Sequence, residues 1–164
     1  EAARFSVNRQ HDDGSWPYGE APTQRWIDNF HTGFNLIALR RVRDFSGTAE
    51  FDAAIRKGLA FYKTHFFRDD GAPKYFHDAV YPIDIHSAAQ SIITLAEFSD
   101  TGKDNLALAH KVLGWTLGNM RSPKGHFYFQ KRPRSMVRTP FMRWSQAWML
   151  LALATLIERT DPAP

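Results

Sequence analysis

Three uncharged runs recur along the chain. Residues 29–39, 85–96 and 144–157 contain no Asp, Glu, Lys or Arg, and apolar or small side chains cover all sides of each run. A helix that is apolar all round is buried on every face. These runs therefore predict three inner helices.

The stretches between the runs have a different pattern. Residues 51–63 and 106–116 carry a single apolar stripe at helical spacing, which in the first of them consists of Phe51, Ile55, Leu59 and Tyr62. A single apolar stripe indicates a helix with one buried face and one solvent-exposed face. We therefore expect outer helices to alternate with the inner ones.

A turn motif of glycine and aromatic residues precedes each inner run. It spans residues 13–18, 70–75 and, in a weaker form, 124–129, and its glycines recur at steps of 57 and 54 residues. Such a period means stacked supersecondary units. The pattern predicts an all-α chain folded as a partial α/α toroid of about three helical hairpins joined by short aromatic turn segments. A short strand-like segment is expected at residues 127–129.

The length suggests an incomplete ring. An open α-solenoid is the alternative architecture, but fully apolar inner helices favour a closed ring, and six hairpins at ~55 residues each would need about twice this chain. We therefore interpret residues 1–164 as one toroid domain, the C-terminal fragment of a longer protein, or as a unit that self-associates to close the ring.

Composition excludes several classes. At 43% hydrophobic residues the chain is too apolar for disorder, and no apolar run reaches the ~18 residues that span a membrane. The absence of cysteine excludes a disulfide scaffold, a thiol nucleophile and thiolate metal sites, and it fits a cytoplasmic location. No serine-nucleophile elbow, phosphate-cradling loop or dinucleotide fingerprint occurs.

The positive charge is local. Residues 121–143 hold seven basic and no acidic side chains, whereas the whole chain has a net charge of +4, so the remainder is slightly acidic. This segment indicates an anionic ligand such as a uronate, a phosphate or a phospholipid; the alternative is a solvated loop. Because no DNA- or RNA-binding motif accompanies it, we do not expect nucleic acid as a partner.

Three segments carry a family resemblance. Asp28–Gly33, Tyr81–Ala88 and Met142–Trp148 lie in a chain that resembles the six-hairpin glycosidases and terpenoid cyclases. More narrowly, it resembles uncharacterised bacterial proteins found with polysaccharide-biosynthesis genes and sometimes mislabelled δ-aminolevulinic acid dehydratase. The resemblance implies a toroid fold and a saccharide context, without established catalytic residues. The dehydratase label would require a TIM barrel, whose alternating strand pattern is missing here.

The candidate acid/base groups begin the inner helices. Asp28, His31, Asp84 and His86 lie near the starts of the first two uncharged runs. They are candidates for general acid/base catalysis. The alternative is structural, with each Asp as a helix cap and each His as a satisfied core residue. Because the two histidines lie one repeat apart, we expect their imidazoles to point similarly.

The turn face also supplies binding candidates. Aromatic rings stack on sugars, although here they could instead seal the turns against the barrel, and arginine pairs with uronates or phosphates. The candidate substrate-binding residues are Trp16, Tyr18, Tyr75, Tyr81, Arg138, Arg143 and Trp144. The histidines lack the close spacing of a zinc motif, so we expect neither a metal nor a cofactor.

Three functions fit this pattern. The first is a saccharide-directed domain in bacterial polysaccharide metabolism, acting as a hydrolase, lyase or epimerase, with an acidic oligosaccharide as a candidate ligand. The second is a non-catalytic helical scaffold that binds a protein or glycan. The third is isoprenoid processing, which requires a deep apolar cavity; the paired aspartates before the turn glycines are better explained by turn chemistry.

Overall fold

The computed structural model describes residues 1–161, which form a stack of helical hairpins. Two 3₁₀ turns (Pro22–Gln24 and Ser99–Thr101) and a π-helical segment (Met142–Ala147) interrupt the α-helices. The α-helices are α1 (Ala2–Asn8), α2 (Asn29–Ser46), α3 (Asp52–His65), α4 (Ile85–Glu97), α5 (Lys103–Met120) and α6 (Trp148–Thr160).

The first uncharged run forms the N-terminal part of α2, the second forms most of α4, and the third forms the end of the π-helical segment and most of α6. These are the three inner helices. Helix α4 lies between the other two and is buried from Ile85 to Ala96, as expected of a helix without charges. The outer helix α3 packs on α2, and the outer helix α5 packs on α4. The predicted partial α/α toroid is therefore confirmed for the described residues.

The three glycine turns share one backbone conformation. Gly14, Gly71 and Gly125 have φ angles of 93°, 91° and 92°, which favour glycine because it lacks a Cβ. Each of them donates its N–H to the carbonyl three residues earlier, at 2.9 Å. The weak third repeat of the sequence thus has the same turn conformation as the first two.

The first two turns pack on the next outer helix, and the third does not. A Cβ on Gly14 would overlap the carbonyl of Lys57 in α3, and one on Gly71 would lie 2.8 Å from the carbonyl oxygen of Lys111 in α5. No described atom lies within 4 Å of the same position on Gly125. The third turn therefore has an open side where the first two have a helix.

Both ends of the stack expose apolar side chains. On α6, Leu150 and Ile157 are 70% and 65% exposed, and at the other end Phe5 and Phe45 are exposed as well. Isolated exposed apolar residues are common, but Leu150 and Ile157 lie on the last helix of the described stack, whose main packing partner is α4. Among residues 1–161, no helix is long and apolar enough to cross a membrane.

A small antiparallel sheet lies over the start of α4. Its strands are β1 (Ile83–Asp84), β2 (Gln130–Lys131) and β3 (Met136–Val137), in the order β1-β2-β3. The expected strand at residues 127–129 is thus displaced to 130–131, because the pairing partner of that segment is β1, far away in sequence. The register sets Gln130 opposite Asp84.

Candidate active site

Two aspartates cap the inner helices. Asp28 Oδ1 accepts the backbone N–H of His31 at 2.8 Å, and Asp84 Oδ1 accepts that of His86 at 2.8 Å. Both residues are almost fully buried, at 1% and 2% exposure. These contacts satisfy N–H groups that have no partner within the helix. Both carboxylates therefore have the structural role that the sequence offered as an alternative.

Asp28 also orients an imidazole. His31 Nδ1 lies 2.8 Å from Asp28 Oδ2, and because a carboxylate only accepts hydrogen bonds, Nδ1 carries the proton. Trp26 Nε1 donates to the same oxygen at 3.1 Å. The His31 side chain is 39% exposed, so its other ring nitrogen, Nε2, is left as an accessible base. A base held by a third group is the arrangement that acid/base catalysis requires.

His86 lies in an aromatic cage. Its ring stacks on Phe30 at 4.6 Å between centroids and contacts Trp144 at 4.6 Å and Trp148 at 4.5 Å. Within the described residues, neither of its ring nitrogens has a hydrogen-bond partner. Burial, with a smaller contribution from nearby His31, lowers the pKa of His86 to about 4. The imidazole is therefore neutral at physiological pH.

The pKa of Asp84 is raised, whereas that of His86 is lowered. Burial raises its pKa to about 6, although the hydrogen bond from the His86 backbone partly offsets that rise. Gln130 Nε2 lies 3.4 Å from Asp84 Oδ2 and links the carboxyl to the sheet. Asp84 thus titrates closer to neutral pH than an ordinary aspartate.

Aromatic side chains form a wall beside His31. Tyr18 stacks on Trp26, with ring centroids 4.5 Å apart at 14°, and its edge meets the His31 ring at 4.6 Å. Tyr75 packs against Phe30 at 5.4 Å, and burial raises the pKa of Tyr75 to about 12, so its hydroxyl stays protonated. Tyr18 and Trp26 are 45% and 40% exposed, which leaves ring surface for a ligand.

The two histidines do not point alike, contrary to our expectation. His31 is the third residue of α2, whereas His86 is the second residue of α4. One helical position turns a side chain by about 100°. Phe30, the second residue of α2, is the counterpart of His86, and only His31 reaches back to its capping aspartate.

The structure brings together most of the predicted site residues. The cluster at the starts of the inner helices comprises Tyr18, Asp28, His31, Tyr75, Asp84, His86 and Trp144. We call it the imidazole cluster. Trp26, Phe30 and Trp148 also contact the cluster and were not among the predicted site residues. For Phe30, its position two residues after a capping aspartate, shared with His86, was a usable signal in the sequence.

Four predicted binding residues lie outside the imidazole cluster. Trp16 is buried in the core, where its Nε1 donates to the carbonyl of Ser6 at 2.8 Å. Tyr81 lies at the end of the sheet beside Pro82, and Arg143 is exposed on the π-helical segment. Arg138 is also exposed, with its guanidinium 5.6 Å from the ring centroid of Tyr128.

A separate cavity lies away from the imidazole cluster. Its volume is about 450 Å³, and it is lined by residues of α2 and α3 together with Phe98 and Thr101. It contains no imidazole, and its charged residues include Arg43 and Asp52, which pair with each other. This cavity therefore brings together none of the candidate acid/base residues.

Comparison with solved structures identifies the fold. The chain superposes on cellobiose 2-epimerase from Bacillus thermoamylovorans B4167 with a TM-score of 0.79 at 11% identity, covering 97% of this chain and 48% of the epimerase. The TM-score for cellobiose 2-epimerase from Spirochaeta thermophila DSM 6192 is 0.75 at 14% identity, and the superposition covers 97% of this chain and 46% of that epimerase. The TM-score for an unsaturated glucuronyl hydrolase with the saccharide dGlcA-Glc-Rha-Glc is 0.77 at 15% identity, and the superposition covers 99% of this chain and 49% of the hydrolase.

Sequence comparison finds no such relatives, since no family model and no curated protein matches the chain. The chain spans about half the length of the structures that it resembles. The identities are low, so the likeness establishes the fold alone. The predicted resemblance to α/α toroids is confirmed, and this chain has the architecture of about half of a six-hairpin toroid.

Proposed function

We propose that this chain forms part of a saccharide-modifying enzyme that works by general acid–base proton transfer, with His31 as the base. The observation that carries the proposal is the pair of Asp28 and His31, in which a buried carboxylate fixes Nδ1 and leaves Nε2 accessible. The named activities of the similar structures, which include epimerisation of cellobiose, support a sugar as the substrate.

The burial of both aspartates favours proton transfer at a sugar carbon, rather than hydrolysis, as the reaction of the described residues. Most glycosidases place two carboxyl groups on either side of the scissile bond. Asp28 and Asp84 are both buried and bound to helix N–H groups, so neither presents an oxygen to a sugar. Among the four acid/base candidates, the accessible group is the imidazole of His31, which suits epimerisation or β-elimination.

The remaining groups have supporting roles. The stacked rings of Tyr18 and Trp26 offer a flat surface to a sugar ring next to His31. His86 supplies a second, neutral imidazole on the other side of Phe30. His86 is 2% exposed and both of its ring nitrogens are buried, so we assign it to packing beneath Phe30 rather than to contact with the sugar.

The domain proposal concerns the open end of the stack. We propose that further hairpins complete the ring, supplied by a longer chain or by a second copy. The support is the open side of Gly125, the exposed Leu150 and Ile157, and the coverage of about half of each similar structure. A completed ring would also close the imidazole cluster against water.

Proton exchange tests the proposed function. The protein is incubated in deuterium oxide with a panel of neutral and acidic oligosaccharides, and loss of carbon-bound hydrogen is followed by proton NMR. We expect exchange with at least one saccharide, reduced about 10²-fold or more by His31→Gln. The matched control is His110→Gln, which alters an exposed histidine on the outer helix α5.

Two results would count against the proposal. The first is that no saccharide of the panel exchanges, and the second is that His31→Gln and His110→Gln exchange at the same rate. Binding of a saccharide without any exchange would instead favour the alternative, a non-catalytic glycan-binding scaffold. In that case the exposed ring surface of Tyr18 and Trp26 would be the binding surface.

A further inference from the structure

The basic side chains of residues 121–143, which we call the basic loop, have no acidic partners. None of its seven basic residues forms an ion pair within residues 1–161, although eight of the fourteen other basic residues do. The seven are Arg121, Lys124, Lys131, Arg132, Arg134, Arg138 and Arg143. Their charge is therefore uncompensated by the protein, unlike most of the charge elsewhere.

The sheet holds the basic loop next to the imidazole cluster. Gln130 lies opposite Asp84 in the β1–β2 pairing, and its side chain donates to Asp84 Oδ2 and accepts from Arg132 Nε at 3.0 Å. At the C-terminal end of the loop, Arg143 directly precedes Trp144, whose ring contacts His86. The middle and the C-terminal end of the basic loop thus lie next to the cluster.

We infer that the basic loop binds the carboxylate groups of an acidic glycan, a uronate-containing saccharide, while one sugar of that chain occupies the imidazole cluster. The inference rests on the proposed function and specifies its substrate class. Guanidinium groups match carboxylates in geometry, and five of the seven basic residues are arginines. An anion next to aromatic rings and imidazoles is best supplied by an acidic sugar.

The charge also fits the chemistry of a uronate. When a base such as His31 Nε2 removes the hydrogen from the carbon next to the sugar carboxylate, the electron pair of the C–H bond moves into the carboxylate to give an enediolate. Cationic groups stabilise that added negative charge. Donation of a proton from water to the opposite face, with loss of the abstracted proton from the His31 imidazolium to water, completes epimerisation. Loss of the glycosidic oxygen from the adjacent carbon, with protonation of that oxygen, completes elimination.

Binding measurements test the inference. Isothermal titration calorimetry at low ionic strength compares an oligosaccharide of glucuronate with a neutral glucose oligosaccharide of equal length. We expect the acidic chain to bind more tightly and to weaken as salt is added. The double variant Arg138→Gln with Arg143→Gln should lose about tenfold in affinity for the acidic chain. The matched control removes the same charge from Arg56 and Lys103, which are exposed on α3 and α5.

The outcomes separate the inference from the proposed function. Equal binding of the neutral and acidic chains, or equal losses in the two double variants, overturns the acidic-glycan inference and leaves a sugar-directed site intact. Binding of inorganic phosphate or of anionic lipid vesicles, without binding of the glucuronate chain, overturns it as well. Failure of every saccharide to bind or to exchange hydrogen overturns the proposed function itself.

Discussion

The three glycine turns allow the open end of the stack to be tested by single substitutions. Gly14, Gly71 and Gly125 have the same positive φ, so replacement by alanine strains the backbone equally at all three positions. Such strain costs about 1–3 kcal/mol. The positions differ only in what a new methyl group would meet.

The packing term separates the three variants. At Gly14 and Gly71 the methyl group would press on the backbone carbonyls of Lys57 and Lys111, which belong to helices and cannot move aside cheaply. Overpacking of this kind adds about 1–3 kcal/mol. At Gly125 the methyl group meets open space. We therefore expect Gly125→Ala to cost only the strain, and the other two to cost about twice as much.

Urea unfolding followed by far-ultraviolet circular dichroism measures these differences. Gly47→Ala is the matched control, because Gly47 also has a positive φ and nothing within 4 Å of its Cβ position. Its loss of stability should resemble that of Gly125→Ala. The comparison is made at a concentration where light scattering shows a monomer. If Gly125→Ala then costs as much as Gly14→Ala, the third turn is not open in the single chain, and the reasoning from an open end is refuted.

Three further predictions concern the imidazole cluster and the exposed edge. The raised pKa of Asp84 destabilises the fold as pH rises from about 4 to 6, while the lowered pKa of His86 stabilises it over a similar range. Asp84→Asn keeps the helix cap but removes the destabilising titration of the carboxyl. The unfolding free energy measured in urea should therefore rise by about 3 kcal/mol more between pH 4 and 6 in the variant than in the unmodified protein. An equal rise in the two proteins would contradict the raised pKa of Asp84. His86→Phe should keep or raise the melting temperature, since it removes two unpaired buried nitrogens worth about 1–3 kcal/mol, and it should leave hydrogen exchange into a saccharide nearly unchanged, since the caged ring does not reach the sugar. A large loss of stability would show that the imidazole has a hydrogen-bond partner. Leu150→Lys should change stability by no more than about 0.5 kcal/mol and reduce self-association in light scattering, whereas a loss above about 2 kcal/mol would mean that Leu150 is buried in solution.

The inner helices could be predicted because their sequence signal is local. A helix buried on all sides cannot carry charges, so the uncharged run from Ile85 to Ala96 matches the fully buried α4. The turns were predictable for the same reason, since a positive φ requires glycine wherever the hairpin repeats. These features depend only on neighbouring residues and on burial.

The sheet could not be placed from the sequence. Its strands are two residues long and pair across more than forty residues, so no alternating pattern marks them. The hydrogen bond from the Gln130 side chain to Asp84 depends on that strand pairing. Trp26 was missed as a donor to Asp28 for a related reason, because the loop geometry that aims its indole is not encoded in any spacing.

The two histidines differ by one helical position, and this difference gives their imidazoles different surroundings. In α2 the histidine follows its capping aspartate by three residues, so the imidazole returns to the carboxylate that already binds its own backbone N–H. In α4 the interval is two residues, so His86 turns toward the aromatic rings and Asp84 is left with Gln130. The same cap therefore yields an oriented, accessible imidazole in one repeat and a neutral, caged imidazole in the next. Two successive hairpins in this way place two imidazoles of different character in one cluster, each behind an aspartate that caps its helix.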